Sequence, residues 1–124
     1  MTLTDFHPEY FRVEQIDDCT VITFVSTTLS EDDNLEQLVH DLTTLVDQYS
    51  VRQLVVNLAK VEYMTSAVLG KLITLHRRLH RKDGRLAICG TRNVVDDVFR
   101  TSRLNEYFTM APDVPSAVAC LAAN

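Results

Sequence analysis

The polar and apolar positions of the chain change period several times, and each change marks an element. Residues 10–16 alternate loosely, with Phe11, Val13 and Gln15 opposed to Tyr10, Arg12, Glu14 and Ile16. Asp17-Asp18 supplies a turn before the apolar run at 20–25, so the stretch predicts a β-hairpin whose second strand is the more buried. Ser30-Glu31-Asp32-Asp33 reads as a helix start, with Ser30 as N-cap and acids in the first turn. Leu35, Leu38, Val39, Leu42, Leu45, Val46 and Tyr49 follow at spacings of three and four, the clearest helical stripe in the chain. Residues 54–58 are nearly all apolar, the pattern of a central strand covered on both faces.

A second helix is predicted from about 66 to 82. Val68, Leu69, Leu72, Ile73, Leu75, His76 and Leu79 fall on one side of it, and Lys71, Thr74, Arg77, Arg78, Arg81 and Lys82 on the other. Asp83-Gly84 closes this helix, with Gly84 expected in the left-handed conformation. Residues 85–89 form another buried strand ended by Gly90, and Val94, Val95, Val98 and Phe99 mark a short third helix. Residues 107–110 suit a last edge strand. Pro115 suits the first turn of a terminal helix with Val114, Ala117, Val118 and Leu121 inward. The order β-β-α-β-α-β-α-β-α predicts an α/β fold: a mixed sheet with a parallel centre and helices packed on it.

At 124 residues, 46% hydrophobic and 23% charged, residues 1–124 read as one ordinary globular domain. No apolar run reaches the length of a membrane span, and Met1-Thr2-Leu3-Thr4-Asp5-Phe6 lacks the regions of a signal peptide, so a cytoplasmic protein that does not engage a membrane is expected. Cys19, Cys89 and Cys120 are odd in number, far apart and without a CxxC, which fits reduced side chains rather than a disulfide framework. The net charge of −5 argues against nucleic acid as the main partner. Residues 71–85 nevertheless carry Lys71, Arg77, Arg78, Arg81, Lys82 and Arg85 against Asp83, a local +5 that leaves −10 for the rest. Cations in the last turns of a helix oppose its dipole; a docking face for an acidic partner is the other use.

The chemistry concentrates where the strand at 54–58 runs through a polar turn into Thr65 and Ser66. Two hydroxyls stand there where a helix cap needs one, and Met64, Ala67 and Val68 bring no competing charge. A phosphate on either would face free backbone N–H groups and the positive end of the helix dipole.

Around these hydroxyls the chain resembles the STAS domains of bacterial anti-sigma factor antagonists. Met64-Thr65-Ser66-Ala67-Val68-Leu69-Gly70, after Val55-Val56-Asn57-Leu58, stands where the family has Met-Asp-Ser-Ser-Gly-Leu-Gly after a strand ending in Asp-Leu. Gly84-Arg85-Leu86, Cys89-Gly90, the stretch 99–108 and the Ala-rich terminal helix resemble further family segments, so the resemblance runs from about Val13 to Leu121. It implies a binding protein rather than an enzyme, with no cofactor, that engages an anti-sigma factor acting as a serine protein kinase and is reset by a phosphatase. It also implies Ser66 as the phosphorylated residue, with Thr65 as the alternative. The expected contact surface combines Thr65, Ser66, Val68 and Leu69 with Lys71 and Thr74.

Thr65, Ala67, Val68 and Asn57 replace the motif's Asp, second Ser, Gly and strand-end Asp, which removes two negative charges from the site; Arg103 replaces a helix-ending Gly. An unswitched STAS scaffold, or an accessory subunit of a transport system, is the alternative function, and a small hydrolase using Ser66 a third. Ser66 lacks a G-x-S-x-G elbow and a placed His/Asp pair. His76 and His80 have metal-ligand spacing but no third ligand in view, so no metal site is expected. Gly90-Thr91-Arg92-Asn93 lacks the GK[ST] of a phosphate loop.

Overall fold

The computed structural model describes residues 6–122; the outer ends of the domain predicted at 1–124 lie outside the described residues. The hairpin forms as predicted: β1 (Phe11–Ile16) pairs antiparallel with β2 (Cys19–Phe24), joined by Asp17 at φ 54°. β4 (Gln53–Asn57) and β6 (Arg85–Cys89) add in parallel, and β7 (Thr109–Ala111) completes a five-stranded sheet of order β1-β2-β4-β6-β7. Between β2 and β4 the chain makes β3 (Thr28–Leu29) and α1 (Leu35–Asp47); after β4 come β5 (Tyr63–Met64) and α2 (Ser66–Arg81). After β6 come α3 (Asn93–Thr101) and the single turn α4 (Leu104–Tyr107), and α5 (Val114–Ala122) follows β7.

Two apolar layers hold the sheet. Ile22, Leu54, Val56, Leu86 and Ile88 face a core shared with Leu38, Leu42, Leu45, Leu72, Leu75, Leu79, Val95 and Phe99 from α1, α2 and α3. Val21, Val55, Ala87 and Cys89 point the other way, against Ala117, Val118 and Leu121 of α5. The period-two alternation of the strands thus divides the sequence between two cores. Residues 54–56 are buried throughout because β4 is covered on both faces. Cys19 and Cys89 are buried and Cys120 is exposed, all three unbridged.

Four sequence expectations change. The first helix starts at Asn34, not Ser30: Asn34 Oδ1 accepts from the Gln37 N–H at 3.1 Å. Ser30 and Asp33 close a local turn instead, the Ser30 N–H donating to Asp33 Oδ2 at 2.9 Å and the Asp32 N–H to Ser30 Oγ at 3.2 Å. The turn leaves Leu29 free to pair with Met64 in the β3–β5 ribbon, an element that two residues are too few to announce by period. The last strand lies at 109–111 rather than 107–110, because residues 104–107 take a helical turn after Arg103 adopts φ 59°. Arg103 thus takes the backbone shape that favours the glycine it replaces.

The fourth change concerns the end of α2. Asp83, not Gly84, has the left-handed backbone, at φ 62°. Gly84 is needed for space: a Cβ there would sit 2.7 Å from the Arg52 carbonyl oxygen and 3.0 Å from that of Leu79. The approach is set by hydrogen bonds, the Gly84 N–H donating to the Leu79 carbonyl at 2.7 Å and the Arg85 N–H to the Arg52 carbonyl at 2.7 Å. Gly84→Ala is therefore expected to lower stability in urea unfolding by about 1–3 kcal/mol. Asp83→Gly should leave it unchanged or raise it by up to about 1 kcal/mol. The reverse order of effects would place the backbone requirement at the wrong residue.

Candidate functional site

The β3–β5 ribbon aims α2. The Glu62 and Tyr63 N–H groups donate to the Thr27 carbonyl, and the Thr65 N–H donates to the Leu29 carbonyl at 3.1 Å. Thr65 thereby enters the N-cap with extended backbone (φ −95°, ψ 165°), and its carbonyl accepts from the Val68 and Leu69 N–H groups. Ser66 is the first helical residue and is exposed. The Ser66 and Ala67 N–H groups have no preceding helical carbonyl to meet, and the turn holds no acidic side chain.

The two hydroxyls, equivalent in sequence, are not equivalent in space. Thr65 Oγ1 is buried and finds no hydrogen-bond partner of good geometry, so the residue in the cap position does not cap with its side chain. It lies close to Glu31, whose carboxyl is held below the ordinary carboxylate range by its own backbone N–H first and by the Thr65 hydroxyl second. A carboxylate from the turn before α1 thus stands beside the position where the motif's Asp is missing. Asn57, in place of the strand-end Asp, ties down the strand end: its Oδ1 accepts from the Ala59 N–H at 3.1 Å, and its Nδ2 reaches Thr23 Oγ1 at 3.4 Å. A carboxylate could make the first bond but not donate in the second.

The expected contact surface is only partly at the surface. Ser66 and Thr74 are exposed and Lys71 is half-buried, but Val68 and Leu69 are 0% and 2% exposed. These two belong to the core and support the helix from beneath; a partner cannot touch them while α2 is docked. Gly70 lies on the outer face, one turn from Ser66, with open space where a Cβ would be. Tyr63 and Val94, at 49% and 48% exposure, are large apolar side chains left in water, and α3 packs against β5 near them. Sequence reasoning missed both, although for Tyr63 an apolar residue just before a helix opening was the available signal.

The basic face of α2 divides in two. Arg78 and Lys82 reach back to Asp47 of α1 at 2.7 and 2.9 Å. Arg78 first and Lys82 second hold the Asp47 carboxyl well below the usual carboxylate range. This surface cluster is worth no more than about 1 kcal/mol. Arg77 and Arg81 make no ion pair among the described residues. His76 and His80 stack with ring planes 4° apart and centroids at 6.3 Å. Among the described residues no group of three or more His, Cys, Asp or Glu side chains is arranged to hold a metal ion.

Two measurements follow from these environments. Thr65→Val is expected to change stability by less than about 0.5 kcal/mol, against the ~1 kcal/mol typical of a lost N-cap, because no cap bond is broken. Burial, and then the neighbouring His80, depress the His76 pKa below its ordinary 6.5. The unfolded chain therefore takes up this proton first as pH falls through 6.5, and stability declines until folded His76 is itself protonated. Thermal melts from about pH 7 to about pH 5 should show that decline shrinking in His76→Phe.

Residues 10–117 match the STAS domain. A Bordetella bronchiseptica protein named as an anti-sigma factor antagonist, BtrV, is 30% identical over 86 residues, which cover 69% of this chain and 73% of that one. The anti-sigma-factor antagonist (STAS) domain protein of Planctomyces limnophilus superposes with a TM-score of 0.81 at 22% identity, covering 91% of this chain and 98% of its own. The phosphorylated form of the Bacillus cell fate determinant SpoIIAA superposes with a TM-score of 0.63 at 22% identity, covering 83% and 92%. With its hairpin, parallel centre and strand-to-helix motif in the same order, the chain belongs to the STAS-domain family.

Proposed function

We propose that this protein is an anti-sigma factor antagonist of the partner-switching kind, regulated through Ser66. The observation that carries the reading is the contrast between adjacent hydroxyls: Ser66 is exposed on the first turn of α2, and Thr65 Oγ1 is buried. A kinase needs an accessible hydroxyl, which favours Ser66 over Thr65. A phosphate there would lie beside unpaired N–H groups and the positive end of a 16-residue helix, so the modified domain stays folded. The name of the relative BtrV supports the antagonist assignment, and SpoIIAA is a STAS neighbour solved in a phosphorylated form.

The partner is an anti-sigma factor with serine kinase activity, and a phosphatase restores the binding form. Its contact surface comprises Ser66, Lys71 and Thr74 on α2, with Tyr63 and Val94 as apolar anchors beside them. Large side chains of this kind carry most of the energy in protein interfaces. Phosphorylation adds about −1.5 to −2 charges at the centre of that patch, and the complex is lost through desolvation and repulsion rather than refolding. The domain acts by binding, in the cytoplasm, and not as an enzyme.

Isothermal titration against the anti-sigma factor of the same cell tests this. Ser66→Ala should bind as wild type, Ser66→Asp about 10-fold or more weaker, and Tyr63→Ala weaker by about 10-fold. Wild-type affinity in Ser66→Asp would leave an unswitched scaffold as the better reading. Phosphosite mapping on protein from its own cells should find the phosphate on Ser66.

A further inference from the structure

About 15 Å along α2 from Ser66, at 1.5 Å per residue, the helix borders a second feature that the switch does not use. His76, Arg77, His80, Arg81 and Tyr107 line an open cleft of about 510 Å³, within the range that small-molecule sites occupy. Its floor is aromatic: the His76 ring centroid lies 4.6 Å from that of Tyr107 and 5.5 Å from that of Phe108, which it meets edge-on at 87°. Tyr107 is 42% exposed and lines the cleft, which leaves part of its ring surface open there. Its cations are available, because Asp47 occupies Arg78 and Lys82 while Arg77 and Arg81, one turn apart, have no ion pair among the described residues. His76 Nδ1 is buried and unpartnered, so Nε2 is the ring nitrogen able to meet a ligand.

We infer that this cleft is a binding site for a small aromatic carboxylic acid, its ring laid on Tyr107 and His76 and its carboxylate held by Arg77 and Arg81. Guanidinium groups pair with carboxylates through two parallel N–H donors and also stack on aromatic faces, so the same two residues serve both halves of such a ligand. Arg77 and Arg81, unpaired among the described residues, give an anion a local attraction here within a chain whose remainder outside 71–85 carries −10. An uncharged aromatic compound would gain the floor and leave both arginines to water.

The test is an NMR titration of the ¹⁵N-labelled full chain with sodium 2-naphthoate at neutral pH, with 2-naphthamide as the uncharged counterpart. Saturable shifts of the amides of residues 76–81 and 107 are expected, with a Kd of about 1 mM or below. The amide, the Arg77→Gln/Arg81→Gln double variant and Tyr107→Ser should each bind about 10-fold or more weakly. Because Arg77 and Arg81 are exposed, the melting temperature of the double variant should be unchanged, which separates lost binding from lost folding. The inference is overturned if no saturable shift appears by about 5 mM naphthoate, well above the expected Kd. Equal binding of the amide, or undiminished binding by the double variant, overturns it too. Tighter binding of the peptide Ac-Asp-Phe-Glu-NH₂ than of naphthoate would overturn it by assigning the cleft to a protein segment.

Discussion

β4 must be dry on both faces, and the rest of the molecule follows from that constraint. Leu54 and Val56 serve one core and Val55 the other, so neither α5 nor the α1–α2 pair can be absent without exposing a strand that carries no polar side chain between Gln53 and Asn57. Each of these side chains contributes about 1.5–3 kcal/mol when buried. A strand so enclosed can exchange polarity for function only beyond its end. The first residues with that freedom are Asn57 and those that follow, where the Leu58 N–H still donates to the Cys89 carbonyl at 2.9 Å before the chain turns towards α2. The hydroxyl pair follows at Thr65 and Ser66, after Leu58, Val61 and Met64 have each returned to the core.

Much of this could be read from the sequence because burial imposes period. The stripe at Leu38, Leu42 and Leu45, the inward side of α2 and the doubly covered strand all follow from one-sided or two-sided contact with a core. What could not be read depends on partners distant in sequence. Leu29 and Met64 are two apolar residues like any others until they pair. Val68 and Leu69 sit in a motif associated with recognition, yet at 0% and 2% exposure the helical geometry commits them to packing. Nothing local tells Thr65 from Ser66; the difference comes from Leu29, Glu31 and the ribbon, some thirty residues earlier. The basic run of α2 likewise looks uniform until Asp47, on another helix, pairs with Arg78 and Lys82 along one side of it.

The departures from the family motif read differently in space. Asn57 gives up a charge and gains a donor, which ties the end of β4 to Thr23 as well as to Ala59. Thr65 gives up a charge at its own position while Glu31 holds one nearby. These changes preserve the shape that presents Ser66 and redistribute the charge around it. Under the proposed function, kinase recognition, which reads charge, is thus free to diverge from complex formation, which reads shape and apolar contact.

The chain has three glycines, and its turns show how it manages with so few. Asp17, Ser50, Asp83, Asn93 and Arg103 all hold positive φ, and of the glycines Gly90 does so at 76°. Each such residue raises the local energy of the folded backbone, yet each also leaves the unfolded chain with fewer conformations than glycine would. The two effects offset one another in the net stability but not in the motion. Corners built this way have one narrow well apiece and resist swinging, so the sheet and its helices meet a partner as a rigid body. In the proposed switch, association then costs little ordering entropy, and one added phosphate is left to decide between bound and free.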